Sequence, residues 1–183
     1  MKSSINHKVQ MKNHLDFFIS RAVAIMNIDK MSPEIPKEIR EFILENGVMA
    51  LASANPDPWV CTLYYGTDDQ LNLYVITDPN STHGRMISKN NNVAFNIFDS
   101  HTKITDPKKG IQGKGVCTIV TDLKEIAKGL MIWHKANPGR EASITLDAIK
   151  KWKDTKIYKI KPTYLKFFNK ALYGGKEYGI WEV

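Results

Sequence analysis

The chain has 183 residues, of which 43% are hydrophobic and 25% are charged, and its formal net charge is +7. This length and composition suit one domain with a buried core, and they exclude a largely disordered chain and a pair of full-sized domains. The basic residues are spread along the sequence and do not interleave with aromatic ones, so the pattern does not favour a nucleic-acid-binding protein. We expect a globular protein whose surface attracts anionic ligands.

The first 30 residues predict one amphipathic helix. Asn13 can cap it, and apolar residues then recur at helical spacing at Leu15, Phe18, Ile19, Ala22, Ile25 and Met26. The apolar stretch is broken by Arg21, is shorter than the roughly 20 residues that span a bilayer, and lacks a clean signal-peptide cleavage site. We therefore expect residues 1–31 to be an extension that packs on the domain or on a second subunit, unless translation begins at Met31. No membrane span is predicted, and a cytoplasmic location is expected.

A compact domain is predicted over residues 32–183, and it begins with a helix. Ser32 can cap this helix, and Pro33 suits its first position. Gly47 ends it, and its apolar positions mark one buried face at Ile35, Ile39, Phe42 and Ile43.

Three short strands with tight connections follow this helix. The strands are predicted at Val48–Ala54, Trp59–Tyr65 and Leu71–Thr77, with a Pro-rich turn at 55–58 and a polar turn at 66–70. Such short connections favour an antiparallel meander over parallel strands joined by helices.

The second half of the domain predicts three more strands and three more helices. A short helix at His83–Lys89 precedes a strand at Val93–Phe98, and a polar loop at 99–109 leads to a strand at Ile111–Thr121. In that fifth strand, Gly113 and Gly115 indicate a bulge or the close approach of something flat.

Two helices separate the fifth strand from the sixth. Asp122 caps the first, which runs to about Ala136, and Thr145 caps the second, whose inward residues are expected to be Leu146, Ile149 and Trp152. The sixth strand is predicted at Lys156–Lys161, with an interruption at Pro162 before it resumes through Tyr164–Phe168. Six antiparallel strands with flanking helices indicate a barrel-like α+β domain.

The common catalytic signatures are missing from the sequence. It contains no G-x-S-x-G, H-E-x-x-H or Walker motif, and its five histidines do not have metal-ligand spacing. Cys61 and Cys117 lie in apolar or alternating runs, so we expect both to be buried packing residues. If the protein catalyses a reaction, a bound cofactor is expected to supply the chemistry.

One segment, from Thr77 to Arg85, has the features of a phosphate site. It leaves a strand, passes through Ser81 and Thr82, and enters a helix with His83 and Arg85 in its first turn. Backbone N–H groups at a helix start, together with hydroxyls and a cation, bind phosphate. Taken alone, the segment is explained more simply as a helix cap.

Over roughly residues 32–183, the order of the elements resembles the pyridoxamine 5'-phosphate oxidase-like split β-barrels, which bind FMN. The segment Ser81-Thr82-His83-Gly84-Arg85-Met86-Ile87 after the third strand is part of that pattern. The resemblance implies an α+β fold, a six-stranded antiparallel split β-barrel with flanking helices, that forms a homodimer and holds FMN between its two subunits. The tail, which includes Lys166-Phe167-Phe168-Asn169, is similar to a bacterial branch of the family that has His where other members commonly have Lys.

The resemblance also implies which residues hold the FMN. Its phosphate would lie at Ser81–Arg85, its isoalloxazine along the backbone of Leu63–Tyr65 and Tyr74–Thr77, and Gln112 would reach it from the partner subunit. The full set of expected FMN-binding residues is Leu63, Tyr64, Tyr65, Val75, Ile76, Thr77, Ser81, Thr82, His83, Arg85, Gln112, Lys176 and Trp181. The aromatic rings at 64, 65 and 181 either wall the substrate side or simply pack. No catalytic residue and no metal ligand is assigned.

Three functions remain open at this stage. The first is an FMN-dependent oxidoreductase with a small-molecule substrate, the second a non-enzymatic flavin-binding or sensing dimer, and the third a split barrel that has switched to haem or a deazaflavin. True pyridoxamine phosphate oxidases carry an Arg-x-His-type clamp after a C-terminal Trp, whereas this chain ends Trp181-Glu182-Val183. Oxidation of pyridoxamine phosphate is therefore not expected. His83 also weakens the expected phosphate site, because a histidine is mostly neutral at pH 7.

Overall fold

The structure, a computed structural model, describes residues 35–183. The expected N-terminal extension and Ser32 itself lie outside the described residues. The expected helix start is wrong, because Ile35 and Pro36 are not helical and the first helix begins at Lys37. The described part contains, in chain order, α1 Lys37–Glu45, β1 Val48–Ala54, β2 Pro58–Thr67, β3 Leu73–Thr77, α2 Thr82–Lys89, β4 Asn92–Phe98, β5 Lys109–Ile119, α3 Leu123–Ala136, α4 Leu146–Lys151, β6 Lys156–Asn169, α5 Lys170–Tyr173 and β7 Tyr178–Glu182. Within these bounds no helix is long and apolar enough to cross a membrane.

All seven strands belong to one antiparallel sheet in the order β3-β2-β1-β4-β5-β6-β7. A further pairing between β3 and β6, with Leu73 opposite Ile160 and Thr77 opposite Lys156, closes the first six strands into a barrel. β7 pairs with the other half of β6, outside the barrel. The expected fold class, a six-stranded antiparallel barrel with flanking helices, is confirmed.

β6 runs without a break through Pro162, where the sequence predicted an interruption. On one edge, Pro162 lies opposite Gly115, next to a shift in the register between β5 and β6. On the other edge, β6 pairs with β3 as far as Ile160 and with β7 from Tyr164 onwards. Pro162 therefore lies where the ladder is interrupted on both edges, and its missing N–H costs little there.

The predicted glycine features of β5 have separate explanations. Gly115 lies at the bulge, where an added Cβ would be 2.6 Å from the carbonyl oxygen of Lys161. At Gly113 an added Cβ would be 2.1 Å from Cζ of Phe95, so the flat group that approaches this glycine is a ring of the barrel's own core. The bulge is confirmed, and the close approach at Gly113 is explained without a ligand.

The buried apolar residues of the described part form two clusters, one inside the barrel and one beneath α3. Cys117 is buried in the first and Cys61 is half-buried against it, and both are free thiols. Burial raises the pKa of Cys117 to about 12 and that of Cys61 to about 11, which fits packing rather than reactive thiols. The inward position predicted for Trp152 is wrong, because this residue is 39% exposed at the end of α4.

The last two elements, α5 and β7, were not predicted from the sequence. β7 spans only five residues, and an α-helix of one turn and a 3-10 turn at Gly174–Lys176 connect it to β6. Segments this short have too few residues for their hydrophobic periodicity to be read.

Candidate functional site

The barrel opens between β2 and β3. These two strands pair only near their hairpin turn, from Thr67 opposite Leu73 to Tyr65 opposite Val75. Beyond that point, β2 pairs only with β1 and the end of β3 pairs only with β6. Two facing strand edges therefore lack ladder partners within the described part of the chain, and such edges can bind the polar rim of a ligand.

The direction of the backbone groups alternates along each strand, which identifies those on the open edges. The N–H of Tyr65 donates to the carbonyl of Gly47, on the β1 side. Tyr64 and Thr62 are an odd number of residues from Tyr65, so their backbone groups point the other way, toward β3. On β3, the backbone groups of Ile76 point toward β2. The carbonyl of Tyr64 already accepts the indole N–H of Trp133 at 3.2 Å. The pair Tyr65–Val75 still places the N–H of Ile76 on the carbonyl of Tyr64, so the open edges consist chiefly of the backbone of Thr62 and the carbonyl of Ile76.

Three of the residues predicted to bind FMN have their side chains in the core. Tyr65 and Val75 are each 1% exposed, and the Tyr65 hydroxyl donates to the carbonyl of Ile43 at 2.7 Å. Trp181 packs over Gly179 and has its ring 6.2 Å from that of Tyr173. The packing interpretation therefore holds for Tyr65 and Trp181. Tyr64, which is 63% exposed, is the one of the three aromatic residues that faces outward.

The chain runs from β3 into α2 through a tight junction. Ser81 caps α2 by accepting the N–H of Gly84 at 3.1 Å, and its hydroxyl donates to the carbonyl of Asp78 at 2.6 Å. Gly84 is required by this packing, because a Cβ there would be 2.5 Å from the oxygen of Asp78. The first N–H groups of a helix have no acceptor within it. Since Ser81 takes that of Gly84, those of Thr82 and His83 are left for a ligand.

His83 faces the junction and contributes little charge. Its Nε2 lies 2.7 Å from Oγ1 of Thr77 and 3.0 Å from Oγ of Ser81. Burial lowers the pKa of His83 below its ordinary value, although the carboxylate of Asp78 acts in the opposite direction. The imidazole is therefore neutral at pH 7, and it exchanges hydrogen bonds with two hydroxyls instead of acting as a cation.

The opposite face of α2 lines a cleft of about 330 Å³. From α2, this cleft is bordered by Thr82, Arg85, Met86 and Lys89, and from the β1–β2 turn by Asn55, Asp57, Pro58 and Trp59. Arg85 is exposed and hydrogen-bonds to the carbonyl of Asn80. Lys89 was missed from the sequence, although its spacing of seven from Thr82 places it on the same helix face.

A second cleft, of about 500 Å³, lies at the other end of β2. It is bordered by Gly47, Tyr64, Trp133, Ala136, Asn137, Pro138 and Arg140. The Asn137 side-chain amide donates to the carbonyl of Tyr65 at 3.1 Å, which fixes the end of α3 against β2. Arg140 is the one charged residue among those that border this cleft. Sequence patterns gave no signal for it, because it comes from the loop after α3.

The remaining predicted residues lie elsewhere on the sheet. Gln112 is exposed on the outer face of β5, between Asn96 on β4 and Lys166 on β6. It is three strands away from β2 and two from β3, about 14 Å and about 10 Å at the usual strand spacing. Lys176 is exposed in the turn before β7. The structure thus brings together Tyr64, Ile76, Thr77 and the segment 81–85 around the opening, whereas Gln112, Lys176 and Trp181 are on or beside other strands.

Comparison with known proteins gives both a family and structural neighbours. The family model described as pyridoxamine 5'-phosphate oxidase matches residues 35–169. No curated protein matches the sequence. Over residues 35–183, no three His, Cys, Asp or Glu side chains are grouped as metal ligands.

Three solved structures illustrate the similarity in fold. A haem-binding protein from Mycobacterium smegmatis has 15% identity and a TM-score of 0.63, over 81% of this chain and 59% of that chain. The haem storage protein HutZ from Vibrio cholerae has 18% identity and a TM-score of 0.52, over 68% and 87% of the two chains. A candidate 5-nitroimidazole antibiotic resistance protein from Bacteroides thetaiotaomicron has 17% identity and a TM-score of 0.61, over 74% and 84%. At such identities the likeness shows the fold alone.

Proposed function

The chain belongs to the pyridoxamine 5'-phosphate oxidase family, and from that premise we propose that it is a flavoprotein that binds FMN. In this proposal it transfers hydride between a reduced donor and a small-molecule acceptor. Bound FMN supplies the redox-active ring, while the chain supplies position, hydrogen bonds and exclusion of water. A homodimer with the cofactor at its interface is part of the same proposal.

The observation that carries the proposal is the continuity between the open strand edges and the start of α2. A flat ring with polar edges can lie against the unpaired backbone of Thr62 and the carbonyl of Ile76, because N–H and C=O groups are both available along this edge. A phosphate attached to that ring then reaches the free N–H groups at Thr82 and His83. The residues present therefore fit FMN as a ligand.

A second copy of the chain is the proposed partner, and the outer face of the sheet supports this. Large apolar side chains are exposed there, with Val60 61%, Phe98 48% and Ile180 47% accessible. Large exposed apolar side chains on one face of a sheet are typical of an interface. Gln112 lies on the same face, at least two strands from the opening of its own barrel, so in this proposal it meets the cofactor of the other subunit. Light scattering is expected to give twice the 20.8 kDa chain mass.

The experiment that tests the function starts from protein incubated with FMN and freed of excess ligand. We expect a flavin absorption spectrum that bleaches under anaerobic conditions when NADH or NADPH is added. Retention of FMN without reduction by any of a panel of donors would favour the flavin-binding or sensing dimer. Failure to retain flavin would contradict the proposal.

Haem is a second candidate, which the two haem-related neighbours and the surroundings of His101 favour. The His101 side chain is 95% exposed, and its Nδ1 lies 3.3 Å from Oδ1 of Asp99. It borders a cleft of about 470 Å³ that includes Phe42, Val48 and Phe98. A carboxylate on Nδ1 orients a histidine that binds iron through Nε2. Titration with haem would then give a Soret band that is lost in His101→Ala, whereas binding of FMN without haem would count against this candidate.

A further inference from the structure

The two sides of α2 differ in what they offer an anion. One side carries His83, which is turned toward Thr77 and Ser81. The other carries Thr82, Arg85 and Lys89, which border the cleft of about 330 Å³ together with the β1–β2 turn. Residues at these spacings share one helix face, so the two cations project from the same side.

The residues first expected to bind phosphate are largely committed to the protein itself. The Ser81 hydroxyl donates to Asp78 and accepts from Gly84. Burial lowers the pKa of His83, and its Nε2 is engaged with two hydroxyls. Helix N–H groups and the Thr82 hydroxyl remain available, but they carry no formal charge. A phosphate dianion at this junction therefore needs its counter-charge from elsewhere.

Lys89 can provide part of that charge. It lies one helical turn beyond Arg85, and long side chains on a helix lean toward its N terminus, which is the direction of Thr82. One carboxylate, Asp57, also borders the cleft, so two positive charges face one negative charge across it. Exposed Trp59 covers one side of the cleft and can shield a bound anion from water.

We propose that Arg85 and Lys89 together neutralise the phosphate of the bound flavin nucleotide, while His83 is a neutral positioning residue that holds Thr77 and Ser81. This inference rests on the proposed flavin function. In this arrangement the positive charges that recognise the phosphate lie on the face of α2 that lines the cleft, and not at His83. It also explains how the chain can bind the phosphate with a neutral residue at position 83.

The test compares FMN with riboflavin, which lacks the phosphate, by quenching of flavin fluorescence on binding. Arg85→Gln is expected to weaken FMN at least 10-fold, in the range of a lost charge-assisted hydrogen bond, and Lys89→Gln about 5-fold, in the range of an exposed ion pair. Riboflavin affinity should stay unchanged in both variants. The double variant should bind FMN no better than riboflavin, and its FMN affinity should lose most of its salt dependence.

Two further variants complete the set: Lys103→Gln is the matched control, and His83→Gln tests the neutral role of His83. Lys103→Gln removes the same charge from the exposed loop at the opposite end of β4 and should leave the affinities for both ligands unchanged. His83→Gln keeps a neutral hydrogen-bonding side chain and should leave the ratio of FMN to riboflavin affinity near that of the wild type. Circular dichroism of each variant checks that the fold is retained.

Each remaining outcome has a definite meaning. If Lys89→Gln behaves like Lys103→Gln, or if His83→Gln abolishes the preference for FMN, the assignment is overturned. If the wild type binds FMN and riboflavin equally, the flavin function stands and the phosphate inference falls. If the folded wild type binds neither ligand, the proposed function itself fails.

Discussion

The polar groups at the two ends of β3 differ in whether they have hydrogen-bond partners within the described chain. Near its start lies a cluster of partnered polar groups, the Tyr74 cluster, made of Asp68, Asn72, Tyr74, Glu125, Lys128 and Lys159. The Tyr74 hydroxyl donates to Glu125 at 2.6 Å, Lys128 pairs with Asp68 at 2.9 Å and Lys159 pairs with Glu125 at 2.8 Å. At the other end, beside the open strand edges, lies the α2 junction (residues 77–85). Its first helix N–H groups are left unpaired by the described chain.

The Tyr74 cluster stabilises the barrel, whereas the α2 junction has polar groups that are available to a ligand. The Tyr74 cluster joins α3 to the β2–β3 turn and to β6, where the barrel closes, and the ammonium groups of Lys128 and Lys159 lie 5.7 and 5.6 Å from the centre of the Tyr74 ring. Hydrogen bonds satisfy its charges, so it has little to offer a ligand. At the α2 junction the side chains of Ser81 and His83 are hydrogen-bonded, but two helix N–H groups are not, and a site of that kind depends on rigid neighbours for its geometry.

The largest effect is expected from Gly84→Ala at the α2 junction. The new Cβ would overlap backbone oxygens of Asp78 and Pro79, which cannot rotate away, so α2 must shift from the loop. We expect a loss of about 2–3 kcal/mol in the free energy of unfolding, measured by urea denaturation, and weaker flavin binding. Gly175→Ala, at a site where a Cβ meets no atom within 4 Å, should have little effect on either. An unchanged free energy of unfolding for Gly84→Ala would show that the junction is not tightly packed.

A smaller effect, confined to stability, is expected from Lys128→Met in the Tyr74 cluster. The Asp68 side chain is 7% exposed and would lose its ion-pair partner, although Lys128 itself is 42% exposed, so solvent screening limits the loss. We expect the free energy of unfolding to fall by about 1–2 kcal/mol, because Asp68 keeps its hydrogen bonds from Asn72.

Lys124→Met, on an exposed position of the same helix, is the matched control and should cost much less stability. Flavin affinity should be unchanged in both lysine variants. If Lys128→Met weakened flavin binding while remaining folded, the separation between the Tyr74 cluster and the α2 junction would be wrong.

The smallest effect is the pH dependence that His83 contributes to stability. Its pKa in the folded state lies below the ordinary value of 6.5, chiefly because it is buried. As the pH falls below 6.5, the unfolded chain takes up a proton that the folded chain does not, so stability decreases until the folded pKa is also passed.

His83→Gln removes this titration and should reduce the drop in the free energy of unfolding between about pH 7.5 and about pH 5.5. His101→Gln, which changes an exposed histidine, provides the comparison. An identical pH profile for wild type and His83→Gln would mean that burial does not disfavour the charged imidazole.

The sequence by itself determined the features that depend on neighbours a few residues away. Ser81, Asp122 and Thr145 were predicted as helix caps, and each side chain accepts an N–H three residues later. The strand predicted at Val93–Phe98 is likewise present as β4, and every second residue in it is buried. Hydrogen bonds of this range and the two-residue period of a strand are local properties, so they can be read directly from the sequence.

Only the tertiary structure decided which of those local features face the opening. Tyr65 was expected at the cofactor and fills the barrel, and Gly113 accommodates Phe95 from a neighbouring strand. Lys89 borders the cleft because α2 lies against the β1–β2 turn, more than 30 residues earlier in the sequence. The period of a strand says that its side chains alternate, but which edge is open and which face is covered depend on strands and helices that are distant in sequence.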